Sequence, residues 1–156
     1  MDNTKWLDDD EQHLWRSYLD ATRLLFQQLD KQLVRDAGIS FADYEILVLL
    51  SEAPEQRMRM RDLADASTTT RSGITRAVTR MEKAGWVRRA GCETDKRGAW
   101  AELGDGGAAK LAEAGPGHVD AVRKNMFDVL TPHDITAMTR AFEAMRERMH
   151  EDRRDR

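Results

Sequence analysis

The chain has 156 residues, 40% hydrophobic and 34% charged, with a formal net charge of −3. That length holds one domain, or one domain with extensions, and its apolar fraction is lean for a core, a shortage that an obligate dimer relieves by sharing one. The lone cysteine, Cys92, excludes an intrachain disulfide and fits a reducing cytoplasm; Met1 to Lys5 leads into acid rather than a secretory leader, and the longest apolar run, Ile46 to Leu50, is too short to span a membrane.

Residues 1–10 read as a tail whose Asp8-Asp9-Asp10 is suited to open a helix, since negative charge is favoured at a helix N-terminus. From Glu11 to Asp36 the pattern is helical. Trp15, Leu19, Thr22, Phe26, Leu29 and Leu33 form one stripe, and Leu14, Tyr18, Leu25 and Leu29 an overlapping one. So broad an apolar face implies more than one neighbour. Gly38 ends this helix. Ser40-Phe41-Ala42-Asp43 has the form of a capping box, with Asp for the usual Glu. The helix it opens carries Tyr44, Leu47, Val48 and Leu50 as core, and Pro54 closes it. A short third helix is expected from Arg61 to Asp65, with Leu63 and Ala64 inward.

The stretch from Thr70 to Gly85 is the informative one. Ile74, Ala77, Val78 and Met81 recur at i, i+3, i+4 and i+7, which makes one apolar helix face. Thr75, Arg76, Thr79, Arg80 and Lys83 are left outward, with Arg71 and Ser72 in the first turn. Thr70 (or Thr69) caps the start and Gly85 suits the stop. A helix that is apolar on one side and cationic with hydroxyls on the other suits a major groove; equally, many basic surface helices bind nothing. The surroundings favour the first reading. The net charge of −3 does not suggest a nucleic-acid partner, but residues 54–100 carry eleven Lys or Arg against six Asp or Glu, a basic centre between acidic ends. Ser67-Thr68-Thr69 gives the turn between two short helices, which is helix-turn-helix spacing.

After Gly85, residues 86–90 and 99–103 read as two strands around a polar tip, Gly91 to Gly98. A hairpin directly after a helix-turn-helix is a wing, and its Lys96 and Arg97 are placed to enter a minor groove or grip phosphate. Gly104-Asp105-Gly106-Gly107 reads as a flexible joint, followed by a helix from Gly107 to Ala114 that Gly115-Pro116-Gly117 breaks or kinks. Helix resumes at His118 and runs to Leu130, with Val119, Val122, Met126 and Val129 inward. Thr131-Pro132-His133-Asp134 starts the last helix, where Ile135, Met138, Phe142, Met145 and Met149 form a heptad seam.

This series resembles the MarR family of winged-helix transcription regulators across nearly the whole chain. Three stretches carry the likeness: Ser40 to Leu47; Leu63-Ala64 with Thr70 to Glu82 and Gly85 to Arg89; and Asp95-Lys96-Arg97 followed by Leu103 and Gly107 to Leu111. The resemblance implies a mainly α fold, a winged helix-turn-helix with a two-stranded β-wing and a helical dimerisation region from both chain ends. It divides the chain into residues 1–38, a dimerisation helix; 39–104, the DNA-binding region; and 105–156, further dimerisation helices. It places Arg71, Ser72, Thr75 and Arg76 toward the major groove and Arg97 in the minor groove, with Asp95 bracing Arg97; Thr70, Arg80 and Lys96 join them as DNA-binding candidates from the reading of the helix and the wing tip. It implies a cytoplasmic homodimer on a near-palindromic operator in double-stranded DNA, acting mostly as a repressor and released by a small aromatic or phenolic effector. Gly73 departs from helix preference by about 1 kcal/mol relative to Ala, which would let DNA approach the backbone closely. Gly104 replaces the usual hydroxyl cap of the fifth helix, with Asp105 as the substitute.

Trp15, Tyr18, Tyr44, Met58 and Met60 are candidates to line an effector cleft, set against plain core or dimer contacts. Arg59 and Arg61 suit either an anionic effector or phosphate. Cys92 lies near Arg88, Arg89 and Lys96, whose charge lowers a thiol pKa, so a redox response is the alternative to a bystander thiol. A winged helix that docks a protein is the other reading. His13, His118, His133 and His150 have no paired ligand spacing, and no nucleophile–base set stands out, so neither a metal, a cofactor nor catalysis is expected.

Overall fold

The computed structural model describes residues 4–67, 69–91 and 99–154, the last three by backbone alone. It falls into two compact units, Met1–Val119 and Asp120–Arg156.

In the first unit, α1 (Asp9–Ala37) opens on Asp8, whose Oδ1 accepts from the Glu11 N–H at 2.8 Å while the Asp8 N–H donates to Glu11 Oε2 at 3.0 Å. This reciprocal box and the acidic first turn satisfy the helix's free donors. Gly38 stops it at φ 63°, its N–H donating to the Val34 carbonyl at 3.1 Å. Only the C-terminal part of α1 is covered, through Leu29, Leu33 and Ala37. Leu14, Trp15, Leu19 and Phe26 of the expected stripe stay exposed.

Helix α2 (Phe41–Glu52) is the centre of the core, with Ile46, Leu47 and Leu50 fully buried. A 3-10 turn at Pro54–Gln56 leads into β1 (Arg57–Arg59), then α3 (Met60–Ala66). Helix α4 (Arg71–Lys83) follows, and β2 (Val87–Gly91) and β3 (Ala99–Leu103) form an antiparallel sheet in the order β1-β3-β2. The expected two-stranded wing is present as β2 and β3, and β1 joins it as a third strand. Strand β1 has three residues, too few to show a period of its own; it is a strand because β3 pairs with it, Met58 opposite Ala101 and Arg59 opposite Trp100.

Helix α5 (Asp105–Asn125) corrects two expectations. The glycines before it are close-packed rather than a flexible joint. A Cβ on Gly106 would stand 2.5 Å from the Gly85 carbonyl oxygen, and one on Gly107 2.3 Å from that of Trp86. The glycine run lets the start of α5 lie backbone to backbone against the end of α4. Gly104 is held the same way, its N–H donating to the Trp86 carbonyl at 2.9 Å. The helix also runs through Gly115-Pro116-Gly117 without a break. Gly115 has no Cβ to clash with the proline ring that follows. Ala112 and Pro116 are both exposed, so water reaches the carbonyl that the proline leaves unpaired. Gly117 fits closely against α1, where a Cβ would lie 3.0 Å from Gln32 Nε2. Lys110 adds a tie, donating to the Ala37 carbonyl at 2.9 Å, where a cation is favoured by the end of the α1 dipole.

In the second unit α5 ends at Asn125, earlier than expected, and a 3-10 turn spans Phe127–Val129. Val119 of the first unit and Val129 of the second are exposed, not inward. Helix α6 (Pro132–Arg154) opens with the expected start: the Asp134 N–H donates to Thr131 Oγ1 at 3.2 Å, and the Thr131 N–H donates to Asp134 Oδ2 at 2.9 Å. The Thr131 hydroxyl also donates to Asp134 Oδ2 at 2.6 Å, and this bond, with the one from the Thr131 N–H, holds the Asp134 carboxyl below its ordinary pKa. Ile135, Phe142, Met145 and Met149 are exposed along it.

Two substitutions separate the close-packed glycine from the tolerated proline. Gly107→Ala should cost about 2–3 kcal/mol, because the atom it meets is backbone. Pro116→Ala should add about 1–3 kcal/mol by restoring a helical hydrogen bond. Urea unfolding of both variants at one protein concentration checks the pair; a neutral Gly107→Ala would show that the start of α5 is free to shift.

Candidate nucleic-acid interface

Helix α4 is placed by its apolar face. Ile74, Ala77, Val78 and Met81 are buried, and their removal from water contributes about 1.5–3 kcal/mol for each of the three larger side chains. Thr70 caps the start, its Oγ1 accepting from the Gly73 N–H at 3.2 Å. At the other end Gly85, at φ 73°, donates to the Glu82 carbonyl, and the Trp86 N–H reaches back to that of Met81 at 2.9 Å. That pair of bonds is a Schellman stop, and it sets the direction in which the wing leaves.

Gly73 packs against its own capping turn. A Cβ there would lie 2.4 Å from Thr69 Cγ2 and 3.2 Å from Thr70 Oγ1, so the glycine makes room for the capping turn itself. Within that turn Ser67 Oγ accepts from the Thr69 N–H at 3.2 Å. Thr68 lies outside the described residues.

Two arginines hold the flanks of α4. On one side Arg80 reaches Asp43 of α2 with two bonds, Nη2 to Oδ1 at 2.5 Å and Nε to Oδ2 at 3.2 Å. The carboxylate is buried, and this pairing replaces the expected return bond from Asp43 to the start of α2, since a desolvated carboxylate gains more from a guanidinium than from a neutral donor. Ser40 still caps α2, its Oγ accepting from the Asp43 N–H at 3.1 Å. On the other side Arg89 of β2 donates through Nη2 to the Thr75 carbonyl at 3.0 Å and to Thr79 Oγ1 at 2.7 Å.

The outward face is then specific. Ser72, Arg76 and Lys83 lie opposite the buried face, and all three are exposed. Neither Arg76 nor Lys83 has a carboxylate partner among the described residues, whereas Arg71 has Asp65 at 3.7 Å, an exposed and weak pair. The Thr75 hydroxyl donates to the Arg71 carbonyl at 3.1 Å. Its lone pairs remain, so it can accept from a base amine.

The sheet adds a feature that the sequence did not announce. Trp100 on β3 lies beneath Arg57 at 5.0 Å and Arg59 at 5.4 Å, and Arg88 is tied to Glu102 at 3.0 Å. The alternation Arg57-Met58-Arg59 is its only trace in the sequence. Cys92, Asp95, Lys96 and Arg97 lie outside the described residues.

The five effector candidates do not share one setting. Trp15 and Tyr18 stack on each other at 6.1 Å along α1. Tyr44 is buried, its ring 4.6 Å from that of His118, and burial pushes its hydroxyl pKa up. Met60 packs on the core. Met58 lines an open groove of about 470 Å³ with Leu49, Pro54, Arg57, Arg59 and Trp100, and none of the other four lines it. Among the described residues no group of three or more His, Cys, Asp or Glu is placed to hold a metal ion, and no helix is long and apolar enough to cross a membrane.

Comparison with known proteins agrees with this geometry. Residues 37–98 match the model of the MarR family. The crystal structure of Sco3205, a MarR family transcriptional regulator from Streptomyces coelicolor in complex with DNA, superposes with a TM-score of 0.86 at 46% identity, over 92% of this chain and 91% of that one. The chain belongs to the MarR family of transcriptional regulators. A second MarR family regulator from the same organism, AbsC, gives a TM-score of 0.85 at 42% identity, over 95% of this chain and 99% of that one. The HTH-type transcriptional repressor YetL of Bacillus subtilis is 34% identical over 94 residues; that match covers 58% of this chain and 56% of the repressor's own length.

His118, unassigned by its sequence spacing, proves to sit in an aromatic cluster of this MarR fold, with Phe41 at 6.2 Å as well as Tyr44. Its Nδ1 is buried without a partner among the described residues, and burial lowers its pKa below the ordinary value near 6.5. The unfolded chain therefore binds this proton more readily than the folded one. The stability that depends on a neutral His118 is whole above about pH 6.5 and declines as pH falls below it. The carboxyls held low, Asp36 and Asp134, act only in a more acidic window. Urea midpoints at pH 7.5 and 5.0 should fall for the parent and change little for His118→Phe; equal falls would assign the acid sensitivity elsewhere.

Proposed function

We propose that this chain is a sequence-specific DNA-binding regulator that acts as a homodimer and most commonly represses. The observation that carries the reading is the outward face of α4: Ser72 and Arg76 stand opposite the buried row, with no carboxylate beside Arg76 among the described residues, while the other sides of the helix are packed or clamped. Such a face suits the major groove, Arg76 toward a guanine edge, Arg71, Ser72 and Thr75 beside it, and Thr70 at the helix start near phosphate. Lys96 and Arg97 at the tip of the wing are proposed to reach the neighbouring minor groove, with Asp95 bracing Arg97. The Streptomyces coelicolor relative in complex with DNA supports the partner class, and the Bacillus subtilis repressor supports the sign of regulation.

The homodimer reading rests on apolar surface. Leu14, Trp15, Leu19 and Phe26 on α1, and Phe142, Met145 and Met149 on α6, are exposed in the single chain, which is more than isolated surface apolar residues account for. Residues 1–38 and 105–156 are accordingly assigned to dimerisation and 39–104 to DNA. A two-fold dimer would place two copies of α4 about one helical turn of DNA apart, which calls for a near-palindromic operator. Relief by a small aromatic or anionic effector is the finer part of the proposal. It is supported by the size of the groove beside Trp100, within the usual range for small ligands, and by its aromatic and apolar lining of Trp100, Met58 and Leu49; the two arginines there share the lining with Glu52, Glu55 and Asp62. A cytoplasmic setting follows from the same role.

Selection from a random DNA pool tests the reading. The expected result is a palindrome with half-sites one helical turn apart, bound with an affinity that falls steeply as salt rises. Arg76→Ala should then weaken operator binding by about 5–150-fold for each half-site, the cost of a lost bidentate base contact, and relax preference at one position in each half-site. A folded dimer that enriches no sequence at any salt concentration would overturn the proposal in favour of a protein-docking role.

A further inference from the structure

Arg80 is the residue whose position in the sequence and position in the structure disagree most. Four residues after Arg76 on a basic helix, it reads as another DNA contact. The structure gives its guanidinium a different task. It makes two bonds to Asp43, a carboxylate 37 residues earlier in the chain and only 6% exposed. A bidentate grip of this kind fixes orientation as well as distance. Leaving that buried carboxylate unpaired is costly, so moving Arg80 onto a phosphate would cost much of what the phosphate returns.

Asp43 is itself well fixed. It stands in the first turn of α2, where Ser40 Oγ accepts from its N–H. Two residues before it, the Phe41 N–H donates to Asp30 Oδ1 of α1 at 2.9 Å. The Phe41 ring stacks on Phe26 of α1 at 5.1 Å. The start of α2 is therefore anchored to α1, and its one buried carboxylate reaches the flank of α4. On the opposite flank Arg89 bonds the Thr75 carbonyl, and its N–H donates to Glu82 Oε1 at 3.3 Å.

We infer that Arg80 is a positioning residue rather than a DNA contact: with Asp43 it sets the rotation of α4 about its own axis, so that Ser72 and Arg76 face outward. The inference rests on the DNA-binding reading above. It narrows the surface of α4 that reads the operator to the first two turns. It also makes an acidic residue on another helix part of the requirement for recognition.

Salt dependence separates the two roles. A phosphate contact releases counterions, so its loss lowers the slope of log affinity against log salt by about 0.9 for each contact, or about 1.8 for a dimer. A positioning pair leaves the slope unchanged. The experiment uses the full-length protein and its selected operator, titrated at four salt concentrations, with Arg80→Met, Asp43→Asn and the double variant, each checked for fold by circular dichroism. The expected result is roughly a tenfold loss for each single variant, the double no worse than either, and parental slopes throughout. A reduced slope for Arg80→Met with Asp43→Asn at parental affinity would overturn the inference. Arg80→Lys supplies a second arm should a neutral variant not fold. It keeps the charge but not the two-point grip, so a positioning role predicts a loss of several-fold, and unchanged affinity contradicts it. If the parent itself selects no operator, it is the DNA-binding reading that fails, not this one.

Discussion

A helix of thirteen residues has little stability of its own in water, and α4 exists because one face of it is removed from water. Ile74, Ala77, Val78 and Met81 anchor it in a core whose centre is α2, and every other feature of the site follows from that burial. The stop at Gly85 can be sharp because the glycines that open α5 lie directly on the backbone that follows it. Its start can be tight because Gly73 leaves room for Thr69. The hydroxyls of Thr75 and Thr79 are drawn into bonds along the helix and with Arg89, so the hydroxylic character of this face is partly internal to the fold.

Charge has a similar double role. The basic centre reads in sequence as eleven cations facing a partner. In the structure Arg57, Arg61, Arg71, Arg80, Arg88 and Arg89 each lie near a carboxylate of the same chain. Exposed pairs of this kind are weak and exchange readily with phosphate. The pair with Asp43 is different because its carboxylate is buried. Among the described residues Arg76 and Lys83 carry no such partner, and they are the charges the helix offers outward at no internal cost.

Much of this was legible in the sequence. The Gly38 stop of α1, the amphipathic period of α4, the Thr70 cap, the Gly85 stop and the Thr131–Asp134 start are local patterns, set by neighbours three or four residues apart, and each was recovered; at the start of α1 the acidic charge was legible but the Asp8–Glu11 box was not. What stayed hidden depends on partners far away in the chain. Strand β1 exists through β3, more than forty residues later. The Arg80–Asp43 pair and the His118–Tyr44 contact join residues whose separation carries no pattern. The glycines before α5 were misread because in sequence glycine signals freedom, whereas at Gly107 it marks a close approach that only the folded chain reveals. At position 116 the expected break does not occur, because Gly115 has no side chain for the proline ring to meet and the carbonyl left unpaired is open to water.

The central claim is that α4 is held ready by the rest of the fold and meets DNA with a narrow outward row. The measurement that tests it most directly is a crystal structure of the protein on its selected operator. The account predicts α4 in the major groove with Ser72 and Arg76 at base edges, and with the Arg80–Asp43 and Arg89–Thr75 bonds kept as they are in the free chain. An Arg80 that has left Asp43 for a phosphate, or an α4 turned so that Arg76 points away from the bases, would contradict it.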